Sequence, residues 1–320
     1  DSYRLVTNIL DPADAPALEL AALYHERWEI EGVFDEFKTH LRANSTVLRS
    51  KTPDLVQQEL WGLLLAADGQ PPLAVVWIFT LGTILMRSAG CVMNDLADRN
   101  FDGHVERTRH RPMATGAVSV KEALLLAAFL TLLAGALILP LPRLVWALAV
   151  VALFLAASYP LTKRFLAIPQ AYLGIAFGFG IPMAYAAILG RVPVIAWWLL
   201  LANVFWAVAY DTEYAMVDRE DDLKIGIRTS AITFGRFDVA AVMICYATAL
   251  GLLAWVGSQY HRGALFYAGL LTATIIALYH YTLIRKRDRA ACFKAFLHNN
   301  WLGAAIFAGL LADYHLPLFP

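Results

Sequence analysis

The sequence predicts an all-α polytopic membrane bundle, with eight full spans and a truncated first span, behind a small α/β soluble fragment. Three observations predict it. Of 320 residues, 59% are hydrophobic and 16% charged, whereas about a quarter of a soluble domain is charged. The apolar residues fall into runs of about 20, the length that crosses a hydrocarbon core roughly 30 Å thick. Basic residues crowd alternate loops, the pattern that orients a multi-pass chain.

Residues 1–66 read as a separate region. YRLVTNIL has strand character, with β-branched Val6 and Ile9, and DPADAP supplies turn residues after it. ALELAALYHERWEIEGVFDEFKTHL then carries a helical period through Leu20, Leu23, Tyr24, Arg27, Glu31, Phe34 and Lys38. Asp1–Lys51 is mostly polar and shows no signal-peptide pattern. The first apolar run, Leu60–Ala67, is half a span, because RSKTPDLVQQ before it is polar. Full spans follow near 73–93, 120–140, 143–159, 166–190, 194–214, 237–257, 263–283 and 293–313.

The net charge is zero, so its distribution carries the information. One face's loops hold Arg99, Arg107, Arg109, Arg111, Lys121, Lys163, Arg164, Arg219, Lys224, Arg228, Arg236, Arg285, Lys286, Arg287, Arg289 and Lys294; those of the other hold Arg143, Arg191 and Arg262. The crowded face is therefore expected to be cytoplasmic. Cys91, Cys245 and Cys292 are widely spaced in or beside apolar helices. The set shows neither a disulfide framework nor zinc-ligand spacing, and Cys91 and Cys245 read as packing residues.

Two stretches at the ends of spans carry chemistry. In RSAGCVMNDLADRNFDGHVERTRHRP, a helical turn of about 100° per residue puts Arg87, Asn94, Asp95, Asp98 and Asp102 on one face. In AVAYDTEYAMVDREDDLKIG, Asp211, Tyr214, Asp218, Asp221 and Asp222 share a face while Glu213 points away. Ionisable groups clustered at a membrane edge repel one another and mark function. Hard oxygen donors suit Mg2+, which takes few carboxylates and completes its shell with water and phosphate oxygens. Two such clusters bridged by Mg2+ would grip a diphosphate, with Lys163, Lys224 and Arg228 on its oxygens.

NDLADRNFD with HRPMATGAVS, and AYDTEYAMVDREDD with KIGIRTSAI, resemble the UbiA family of intramembrane prenyltransferases, and within it the branch that prenylates 4-hydroxybenzoate for ubiquinone. The similarity runs from about Leu60 to the C-terminus. It implies nine helices around a cavity open sideways to lipid, in a bacterial inner membrane with the site facing the cytoplasm. It also implies Mg2+ and a polyprenyl diphosphate held by Asn94, Asp95, Asp98 and Asp102 with Asp211, Asp218 and Asp222. The allylic cation left by ionisation is attacked by the ring carbon ortho to the phenol hydroxyl. Arg87 is placed to bind the aromatic carboxylate, and Tyr159, Tyr210 and Tyr214 to shield the cation.

The head has its own resemblance. Tyr24, Arg27, Glu31 and Lys38 stand as Y-x2-R-x3-E-x6-K, similar to the signature of DDE insertion-sequence transposases. That family needs three carboxylates for its metals, so the head is read as a remnant, with no nucleic-acid partner, joined to a membrane domain at 67–320. QELWGLLLA continues the transposase text and LLLAADGQPP the end of a first membrane helix, which places the seam near Leu65. The shortened first helix predicts reduced insertion or activity. Other readings are a UbiA-type enzyme with a different aromatic acceptor, and a divalent-cation transporter, which expects carboxylates near mid-bilayer on broken repeats.

Overall fold

The structure is a computed structural model that describes residues 60–99, 110–162, 164–226 and 228–316. The chain divides into two units, Asp1–Arg49 and Ser50–Pro320. Tyr24, Arg27, Glu31, Lys38, Asp102 and Lys163 lie outside the described residues, as does the side chain of Asp221.

The described body is helical. A short helix, α1 (60–66), is followed by α2 (Leu73–Asp98), α3 (Val120–Leu137), α4 (Arg143–Thr162), α5 (Pro169–Gly178), α6 (Gly180–Leu189) and α7 (Val194–Ile225). After α7 come α8 (Ser230–Phe234), a 3-10 turn at Gly235–Phe237, α9 (Asp238–Gln259), α10 (Ala264–Ile284) and α11 (Arg289–His315). Eight helical segments among the described residues are long and apolar enough to cross a membrane, and each coincides with an expected span. The chain is a multi-pass membrane protein.

Two elements depart from the expected continuous spans. The segment near 166–190 is broken at Phe179 into α5 and α6, because Pro182 donates no amide hydrogen and its ring crowds the preceding turn. Gly174 and Gly178 in α5 let that helix approach α7 closely: a Cβ on Gly174 would stand 2.8 Å from the Cα of Val204. The helix expected to end near 214 runs on to Ile225, where Gly226 takes a left-handed cap at φ 73°.

α7 is the hub. It packs on α5, α6, α8, α9 and α11, and 56% of its apolar window is buried against 11% for α4, a peripheral helix. α1 joins this core through the nearly buried Trp61, Leu64 and Leu65, while the fully buried Leu63 packs in a second cluster with Phe79, Val145 and Ala184. α2 packs instead on α3, α4 and α6, so α4, α5 and α6 bridge the two helices that carry the acidic motifs. Cys245 and Cys292 are buried and Cys91 half-buried, all three as free thiols.

Candidate active site at one membrane face

By span parity, α2 and α7 end on the same face of the bundle. α2 carries Arg87, Asn94, Asp95 and Asp98, and its helix continues through all four. α7 carries Asp211, Tyr214, Asp218 and Asp222 on one flank. Asp98 and Asp218 are buried, each 7% exposed, while Asn94, Asp95, Asp211 and Asp222 are half-buried.

The turn between α4 and α5 is bonded to both motif-bearing regions. Arg164 donates from Nη2 to the Ala97 carbonyl at 3.3 Å, at the end of α2. Arg228, just past α7, donates from Nη1 to the Phe165 carbonyl at 3.1 Å. Behind it, the Ser230 amide donates to Gln170 Oε1 at 3.0 Å, and Ser230 shares a 2.6 Å hydrogen bond with Thr212, the neighbour of Asp211. Lys224 is exposed near the end of α7.

Arg111 was legible only as part of the basic loop pattern, yet it is 5% exposed and its Nη1 lies 2.8 Å from Asp95 Oδ1. A guanidinium held this close makes a charge-assisted hydrogen bond that aims the carboxylate. The HRP following the first motif was the available signal.

The aromatic residues separate into two groups. The Arg87 guanidinium lies 4.7 Å from the Phe177 ring centre, and Tyr159 stands 6.2 Å from the same ring. Tyr210 and Tyr214 instead meet at Phe296 of α11, at 6.4 and 4.6 Å. Phe177 and Phe296 each join residues that the sequence named separately, and neither carries a local signal.

Among the described residues, no three His, Cys, Asp or Glu side chains converge as a ready metal cage. The donor set of carboxylates and one amide is the hard-oxygen chemistry that Mg2+ takes, and Mg2+ relies on water and substrate phosphates for the rest of its shell. The residues present therefore fit a metal that arrives with a diphosphate.

Comparison with known proteins agrees with this architecture. Residues 59–302 match the UbiA prenyltransferase family, and residues 6–68 match a transposase DDE domain. The chain is 74% identical over 260 residues to the 4-hydroxybenzoate octaprenyltransferase of Azoarcus sp., covering 81% of this chain and 91% of that one. It is 69% identical over 261 residues to that of Methylobacillus flagellatus, covering 81% and 88%. Its fold superposes on a UbiA homolog from Aeropyrum pernix with a TM-score of 0.73 at 25% identity, covering 82% and 97%. A UbiA homolog from Archaeoglobus fulgidus, solved with GPP and Mg2+, gives a TM-score of 0.55 at 19% identity, covering 82% and 99%. With its paired acidic helix ends, its helical bundle and a family match over most of its length, the chain belongs to the UbiA prenyltransferase family.

Proposed function

We propose that this chain transfers a polyprenyl group from its diphosphate to the ring carbon ortho to the hydroxyl of 4-hydroxybenzoate, a step of ubiquinone synthesis. The observation that supports this reading best is the pair of acidic helix ends on one face, bonded to a shared turn. The transporter reading expects carboxylates at mid-bilayer, and these stand at one face.

Asn94, Asp95, Asp98 and Asp102 from one side, and Asp211, Asp218 and Asp222 from the other, would hold Mg2+ against the diphosphate. When bound, the metal would supply neutralisation of the charge that develops on the leaving diphosphate. Lys163, Lys224 and Arg228 bind its outer oxygens. Arg87, held over Phe177, binds the acceptor's carboxylate and turns its ring toward the allylic carbon. Tyr210 and Tyr214, packed on Phe296, present π faces to the cation and exclude water, as does Tyr159 beside Phe177. Attack by the ring carbon forms the new C–C bond, and loss of the proton at that carbon restores aromaticity.

The crowding of basic residues in the loops at this face supports a reading in which the site faces the cytoplasm from a bacterial inner membrane. Residues 1–66 are a non-functional transposase remnant, and 67–320 are the working domain. The test is product formation by the detergent-purified chain from a polyprenyl diphosphate, 4-hydroxybenzoate and Mg2+. The expected result is turnover that Asp211→Asn lowers about a hundredfold or more. No product at high protein concentration overturns the reading.

A further inference from the structure

A second polar system lies behind α7. Asp211 and Glu213 are two residues apart, so about 200° of helix separates them. Trp206 and Glu213, seven apart, fall on one stripe. Glu213 is fully buried inside a membrane span. Its Oε1 accepts a hydrogen bond from the Tyr246 hydroxyl of α9 at 3.1 Å and lies 3.3 Å from His280 Nδ1 of α10. His280 Nε2 lies 3.1 Å from His298 Nδ1 of α11. Tyr246 also donates to Asn299 Oδ1 at 3.3 Å, and that oxygen accepts from Trp206 Nε1 at 3.0 Å.

These side chains tie four helices together through α7. The arrangement is not a cheap one. His280 and Asn299 are fully buried too, and both Glu213 Oε2 and Asn299 Nδ2 are buried without a hydrogen-bond partner. A half-satisfied carboxyl group buried within a membrane span is costly, and the best-attested use of such buried polar groups is to fix a register. The register at stake here is the rotation of α7. Apolar packing alone tolerates small rotations of a helix, whereas directed bonds on one stripe do not.

We infer that Glu213 is a positioning residue for the acidic site: its bonds to Tyr246 and His280 lock α7 about its axis, so that Asp211, Asp218 and Asp222 face the Asp95–Asp98 end of α2. This rests on the proposed prenyl-transfer reading and adds to it a residue that touches no substrate. Glu213→Leu removes the anchor, and Glu213→Gln keeps an acceptor oxygen at the same place.

The test has two readouts. One is the Mg2+ half-saturation and the KM for prenyl diphosphate. The other is binding of Mn2+ with geranyl diphosphate, followed by electron paramagnetic resonance with no acceptor present. Glu213→Leu is expected to weaken metal and diphosphate binding at least fivefold in both, leaving the KM for 4-hydroxybenzoate within twofold, and Glu213→Gln to restore binding to within threefold. If Glu213→Leu melts at a lower temperature yet binds metal and diphosphate normally, the residue is structural only and the inference is overturned. Should Glu213→Leu not fold, Tyr246→Phe removes the hydroxyl that bonds both Glu213 and Asn299 in the same system. A binding shift of twofold or more then supports the inference and no shift overturns it. Failure of the unaltered chain to turn over strikes the prenyl-transfer reading instead, and the acceptor-free binding measurement still decides the role of Glu213.

Discussion

Trp61 and Trp206 stack with ring centres 5.3 Å apart and planes 12° from parallel. One comes from the seven-residue α1 at the seam, the other from the hub helix. Trp206 also stands edge-on to Tyr210 at 6.1 Å and bonds Asn299. The truncated first segment is thereby connected to the aromatic wall of the proposed site.

That stack predicts a stability effect. Removing a buried Trp side chain costs about 3–5 kcal/mol in soluble cores, and in a bilayer the loss is of packing rather than of transfer from water. Trp61→Ala is therefore expected to cost about 1–3 kcal/mol, seen as a lower melting temperature in detergent, and Trp61→Phe less than half of that. An unchanged melting temperature for Trp61→Ala would show that α1 does not contribute to the fold.

The seam itself predicts a second effect. Asp54, Gln57, Gln58 and Glu59 precede α1, and such side chains are expensive in hydrocarbon. A version in which residues before Leu60 are replaced by a continuous apolar helix with a short basic lead is expected to insert at higher yield and turn over faster. Yield is read by membrane fractionation and turnover per folded protein by product formation. Equal values in both would remove the truncation as a handicap.

A third prediction concerns the start of α9. Asp238 is fully buried, with Arg287 Nη2 at 2.6 Å and Arg219 Nη1 at 3.2 Å, and the carboxylate bonding raises the pKa of Arg287, which lies between spans. Arg219 follows Asp218 directly, so the Asp238–Arg219 pair anchors the C-terminal extension of α7. Breaking a buried pair costs about 3–5 kcal/mol, and partial exposure of both arginines reduces this to about 2–3. Asp238→Ala should lower the melting temperature markedly and Asp238→Asn by less; equal melting of both variants and the parent would contradict the anchor.

Much of this architecture was legible because two signals are local. Apolar run length marks each span wherever the run meets lipid, and three- and four-residue spacing to Asp98 puts Asn94 and Asp95 on its face of a helix. The departures arise from contacts between distant segments. Nothing around Phe296 announces that it meets Tyr210 and Tyr214, since α11 and α7 are neighbours only in the bundle. The placing of Glu213 away from the acidic flank followed from helical angle, but its partners Tyr246, His280 and Asn299 come from three other helices. The break at Phe179 had a local cause in Pro182, masked by the uniform hydrophobicity of the run. Arg111 looked like one loop cation among many, and its burial against Asp95 depends on how its loop folds back.

That last contact gives the most discriminating prediction. Arg111 is nearly buried and Asp95 is 29% exposed at the side chain, so removing Arg111 leaves a partly desolvated carboxylate without its close cation. Arg111→Ala is expected to lower kcat/KM about tenfold to a hundredfold and to raise the Mg2+ half-saturation. Arg111→Lys should recover part of this, because an ammonium keeps the charge without the guanidinium's forked geometry. The cycle with Asp95→Asn separates the pair from unrelated damage. If Arg111 works by aiming Asp95, the double variant loses little more than Asp95→Asn alone, with a coupling of at least about 1 kcal/mol. Additive losses would mean that Arg111 acts elsewhere, on the diphosphate or on the loop itself, and that the Asp95 contact is incidental to catalysis.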